Sequence, residues 1–174
     1  MNEPSQPAPA LLLAIGDIHL GTRCSGLPDD LSSWGVSPED LTPAAALATA
    51  VTFAIDNRVD AVLFAGDVVE SINARFEAWV PLERAVQRLV GEGIQVIAVA
   101  GNHDVEALPR LARQIDGFTL LGEGGRWESC IVRRDEEDLV EIVGWSFGEP
   151  VVRQSPVPGL LADPDDATRM GEAG

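Results

Sequence analysis

Three short clusters carry residues able to hold a divalent ion or to move a proton. They are Asp17-Ile18-His19, Gly66-Asp67-Val68-Val69-Glu70 and Gly101-Asn102-His103-Asp104. An Asp carboxylate is a hard anionic ligand, imidazole is borderline, and an Asn carbonyl adds a neutral oxygen. Such a set suits Mn²⁺, Fe²⁺ or Zn²⁺ better than Ca²⁺, which takes all-oxygen cages. Asp67 is the natural bridge between two ions roughly 3.5–4 Å apart, with Asp17 and His19 on one side and Asn102 on the other. Water shared by two such ions becomes hydroxide near neutral pH and attacks phosphorus in line. His103 diverges from Asn102 and is assigned as the general acid, with Glu70 as its candidate carboxylate partner. A solvated surface carboxylate accounts for Glu70 equally well. Asp104 is expected to hydrogen-bond backbone and hold its turn, beside the supporting glycines Gly66 and Gly101.

Each cluster closes an apolar run, and this is what lifts a weak Asp-x-His above chance. Leu11–Ile15, Asp60–Ala65 and Ile94–Ala100 each end in glycine followed by polar residues. A strand buried on both faces reads this way, and ligand sites in open α/β sheets lie at the carboxyl edge of the strands. In extended backbone, residues i and i+2 point to one side, so Asp17 and His19 are expected to converge. Both histidines of the chain fall in these clusters.

Helices are expected between the strands, giving βαβ units and parallel pairing. Ser37-Pro38-Glu39-Asp40 and Thr42-Pro43 both look like helix starts, and the helix then runs to about Asn57 with Leu47, Val51, Ala54 and Ile55 on one face. From Asn73 to Val90, Leu82, Val86, Leu89 and Val90 recur at helical spacing, and Pro81 is expected to start or kink that helix. Val105–Ile115 reads as a short helix, and Phe118–Leu121, Trp127–Arg133 and Leu139–Phe147 as strands, the last two joined by the acidic turn Arg134–Asp138. Three segments result: a disordered tail over 1–9, one domain over 10–147, and a Pro/Asp/Gly-rich loop or tail over 148–174.

With 174 residues, 45% of them apolar, the chain suits one domain with a real core. Its formal charge is −16, and all 12 basic residues are arginine. That balance opposes non-specific attraction to DNA phosphates. Cys24 and Cys130 lack metal-type spacing, which points to a reducing compartment. No leader or membrane-spanning stretch is recognised, so the expected location is cytoplasmic, without membrane association. Cys24, Trp34, Trp79, Trp127 and Trp145 have no motif around them and are assigned to packing.

Asp17-x-His19, Gly66-Asp67-x-x-Glu70 and Gly101-Asn102-His103-Asp104, in this order and spacing, resemble the first three motifs of the calcineurin-like metallophosphoesterases. Leu20-Gly21 after His19 resembles the SbcD-type DNA-repair exonucleases within that superfamily. The resemblance covers roughly Leu11 to Phe147. It implies an α/β fold, the N-terminal portion of a four-layer αββα sandwich, and a two-metal site usually loaded with Mn²⁺. It implies hydrolysis of DNA phosphodiesters, or of nucleotides and small phosphate esters, and in the exonuclease branch an ATPase partner of the SMC type. Family members carry further histidines downstream, whereas this chain has none after His103. One ion then keeps Asp17, His19 and Asp67, and the other only Asp67 and Asn102, so one weakly bound Mn²⁺ is expected. The chain is expected to be an incomplete N-terminal part, active only if completed, for instance by a second copy in a homodimer. A non-catalytic relic or interaction domain is the contrasting class.

Overall fold

In the computed structural model, residues 9–22, 25–26, 30–71 and 75–162 are described. Residues 1–8, Cys24 and the end of the expected C-terminal tail lie outside them. The apolar runs form β1 (Leu12–Ile15), β2 (Ala61–Ala65) and β3 (Gln95–Val99), and with β4 (Phe118–Leu120) they make one parallel sheet in the order β1-β2-β3-β4. The chain has an α/β fold, and the three glycine-terminated strands are neighbours, as the motif pattern requires.

Two cores explain why these strands lack polar alternation. On one face, Val62, Phe64, Val96 and Ala98 pack against helices α1 (Pro43–Asp56), α2 (Arg75–Gly91) and α3 (Ala107–Ala112) through Leu47, Val51, Leu82, Val86, Leu89, Leu108 and Leu111. On the other, Ala61 and Ile97 meet the hairpin of β5 (Trp127–Arg134) and β6 (Glu137–Trp145) through Val132, Cys130, Val140 and Ile142. Helices, parallel sheet and hairpin are therefore three stacked layers. No helix among the described residues is long and apolar enough to cross a membrane.

Local signals act largely as expected. Thr42 caps α1, its hydroxyl accepting from the Ala45 N–H, with Pro43 at the first helical position. Ser37 closes a capping box on a 3₁₀ turn, Pro38–Leu41. Pro81 lies inside α2, which continues through it. Val90 is on the exposed side of that helix rather than in its buried stripe. The hairpin turn is only Asp135-Glu136, both at positive φ. The stretch after 147, expected to be irregular, includes a short helix α4, Val157–Ala162, and the Trp127 indole donates to the Pro156 carbonyl just before it. Trp34 is 65% exposed, so packing does not account for it.

Polar fixings at both ends of the strands hold the hairpin to the sheet. At the edge away from the site, Arg134 donates to both oxygens of the buried Asp60 at 2.8 and 2.7 Å, and Asp60 also accepts the Leu11 N–H. The Gln95 side chain donates to Ile131 O and accepts the Arg133 N–H. At the site edge, the fully buried Ser146 hydroxyl donates to Leu121 O and accepts the Ala100 N–H at 2.8 Å.

Ser146→Ala orphans a buried N–H and is expected to cost about 1–3 kcal/mol in urea unfolding; a change near zero would show that this latch is not needed. The Arg134 guanidinium holds the Asp60 carboxyl below its ordinary value. A lowered folded pKa gives stability that is present above the unfolded value and is lost as pH falls through the folded one. The stability gap between wild type and Asp60→Asn should be widest above pH about 4 and close below it. A gap constant with pH would assign the pair's contribution to shape rather than charge.

Candidate metal centre

Beyond Ile15 and Ala65 the first two strands do not separate. Asp17 N–H donates to Gly66 O, His19 N–H to Asp67 O and Leu20 N–H to Val68 O, and pairing resumes in a parallel bridge between Leu20 and Val69. Inside this bonded stretch Asp17, His19 and Asp67 adopt φ of 53°, 51° and 51°. Left-handed backbone is uncommon for residues with a side chain, though Asp and His tolerate it better than most. Asp17 and His19 are thus not in the extended conformation that the i, i+2 argument assumed. Two left-handed residues bring them together instead, in a frame pinned by hydrogen bonds on both sides.

The second and third loops grip each other reciprocally. From the end of β3, the fully buried Asp104 carboxylate accepts Val68 N–H at 2.7 Å and Val69 N–H at 3.3 Å, as well as its own loop's Gly101 N–H at 2.7 Å. From the end of β2, Asp67 Oδ1 accepts the His103 N–H at 2.9 Å. Burial pushes the Asp104 carboxyl above its ordinary value, against the pull of its three N–H donors. Gly101 is glycine because of this grip: a Cβ there would run into the Asp67 carboxylate and stand 2.7 Å from the Asp67 nitrogen.

Two sets of ligand-capable side chains result, Asp17–His19–Asp67 and His19–Glu70–His103, each with donor atoms within 4.8 Å of one another. His19 Nε2 is 3.8 Å from Asp17 Oδ1, and its Nδ1 is 2.8 Å from Glu70 Oε2. The rings of His19 and His103 meet edge to face at 4.9 Å. Glu70 lies within reach of both histidines. Its carboxylate is 3.7 Å from His103 Nδ1, farther than from His19, and it is the Glu70 carbonyl oxygen that lies 3.2 Å from His103 Nδ1. Asn102 is exposed on the same turn. Ser146 fixes Ala100 directly behind that turn, and no motif marked it, since its partners lie 25 and 46 residues away.

The sequence pattern of the calcineurin-like phosphoesterases matches residues 10–161. The chain belongs to this family. Thirty-one chains of solved structures match this chain. One, the crystal structure of Pseudomonas putida nuclease MPE, is 19% identical, with a TM-score of 0.43 over 63% of this chain and 46% of its own. The chain thus spans less than half the length of that nuclease. No curated protein matches it.

The donor set fits a divalent ion: two hard carboxylates and an imidazole at one strand edge, with Asp17 largely open to solvent. Gly101→Ala is expected to displace Asp67, lowering stability by about 1–3 kcal/mol and Mn²⁺ affinity by more than tenfold. Unchanged Mn²⁺ affinity in calorimetry would show that Asp67 does not need this close approach.

Proposed function

We propose that this chain carries a divalent-metal phosphoesterase site of the exonuclease type, hydrolysing DNA phosphodiesters. The observation that supports it is the convergence of Asp17, His19 and Asp67 at one sheet edge with His103 alongside. Asp17, His19 and Asp67 would hold one ion, Mn²⁺ in this reading, while Asp67 and Asn102 would serve a second. A bound ion neutralises phosphoryl charge and makes water at the site more acidic. His103 is the general acid. Its Nδ1 faces a carbonyl oxygen, which only accepts, so Nδ1 keeps its proton and Nε2 is the atom that exchanges one with the leaving oxygen. The net charge of −16 favours a second reading, in which the substrate is a nucleotide or another small phosphate ester rather than a polyanion. In the DNA reading, an SMC-type ATPase would supply the cationic surface, and a second copy of the chain would supply further metal donors.

Metal stoichiometry tests this directly. Titration calorimetry should find about one weakly bound Mn²⁺ per chain, because three protein donors make a site and two do not. His19→Ala should abolish binding, and His103→Ala should leave it nearly intact. Turnover of bis-p-nitrophenyl phosphate by the chain alone should stay close to background. Strong turnover lost in Asp67→Ala would show the second ion's ligands being completed, as a homodimer would do. No metal binding at all would replace this reading with a non-catalytic interaction domain.

A further inference from the structure

The two histidines differ in which oxygen of Glu70 they face, and this divides the work of that residue. His103 Nδ1 lies nearest the main-chain carbonyl, at 3.2 Å, and that oxygen is present whatever side chain occupies position 70. The Glu70 carboxylate is half-buried and reaches the other ring, with Oε2 2.8 Å from His19 Nδ1. His19 Nδ1 is itself buried and makes no hydrogen bond, although Glu70 Oε2 lies only 2.8 Å away. A buried ring nitrogen without a partner is costly, and a modest rotation of an exposed-edge carboxylate satisfies it.

We infer that the Glu70 carboxylate is a positioning residue for His19, fixing it as the Nδ1–H tautomer, and that the proton on His103 Nδ1 is held by the Glu70 main-chain carbonyl. A neutral imidazole has one protonated nitrogen and one lone pair. With the proton held at Nδ1 by Glu70, the lone pair of His19 is at Nε2, the nitrogen that faces Asp17. A carboxylate behind a ligating imidazole fixes ring orientation and raises ligand basicity, and losing it typically costs 10–100-fold in metal affinity. This assignment departs from the sequence argument, which joined Glu70 to the acid. Its metal consequence rests on the reading of His19 as a ligand; its tautomer consequence does not.

Nuclear magnetic resonance on the metal-free chain separates the two. With only two histidines, the imidazole ¹H–¹⁵N two-bond correlations are assigned by comparison with His103→Ala. Spectra are taken above pH about 8, where imidazole is neutral. Histidine free in water favours the Nε2–H tautomer, so an Nδ1–H pattern reports a partner. Both rings should show Nδ1–H in the wild type. Glu70→Ala should convert His19 toward Nε2–H and leave His103 unchanged. Glu70→Gln, whose amide oxygen still accepts, should keep His19 largely Nδ1–H. In Mn²⁺ calorimetry, Glu70→Ala should weaken binding 10–100-fold, with Glu70→Gln between it and wild type. A tautomer change at His103 with His19 unmoved would overturn the inference and return Glu70 to the acid. The expected His19 tautomer change without any loss of Mn²⁺ affinity would sustain the positioning and refute His19 as a ligand.

Discussion

The site depends on a reciprocal pair of carboxylates. Asp67, from the end of β2, takes a backbone N–H from the loop after β3, and Asp104, from that loop, takes two from the segment after β2. Neither loop has regular secondary structure to satisfy these amides. In a buried environment each unmet N–H would be expensive. The two side chains therefore act as substitutes for a sheet ladder, continuing the register of β2 and β3 beyond the point where the strands end. Asp67 and His103 inherit their positions from this exchange. The Asp67 carboxylate lies against Gly101, which leaves room for it, and His103 stands beside it because its own amide is bound there.

What could be read from the sequence was set by local chemistry. Strands buried on both faces show as unbroken apolar runs, so β1, β2 and β3 and their glycine ends were visible, as was the capping of α1 at Thr42. The motif clusters could be placed at one edge because parallel topology follows from the βα rhythm. What escaped depends on contacts far apart in the chain or on backbone states that composition does not reveal. Asp60 and Arg134 are 74 residues apart, and nothing near either residue signals the other. The left-handed state of Asp17 and His19 replaced the extended geometry assumed for them, because the pairing with residues 66–68 sets their φ. Glu70 offers two kinds of oxygen, and spacing alone does not say which one serves which histidine.

The hairpin layer is fixed at both edges of the parallel sheet, by Ser146 next to the site and by Asp60–Arg134 and Gln95 opposite. Its apolar contact between these points is modest, with Val132 as its fully buried residue. Directional hydrogen bonds, more than area, set how this layer sits. Through Ala100 that placement reaches the turn carrying Asn102 and His103.

The three left-handed donor residues place chemistry and thermodynamics at odds. At Asp17, His19 and Asp67 a glycine would relieve backbone strain on the order of 1 kcal/mol, part of it returned through the greater freedom of the unfolded chain. Each relief would remove a donor atom. At the exposed Asp17, replacement by glycine, released from any functional requirement, gives a more stable and chemically silent protein. At Asp67 the relief is offset by the lost acceptor for the His103 N–H. Selection for stability alone, as in a laboratory screen for heat resistance, would therefore erode this edge first at Asp17 and leave the helices and both cores untouched.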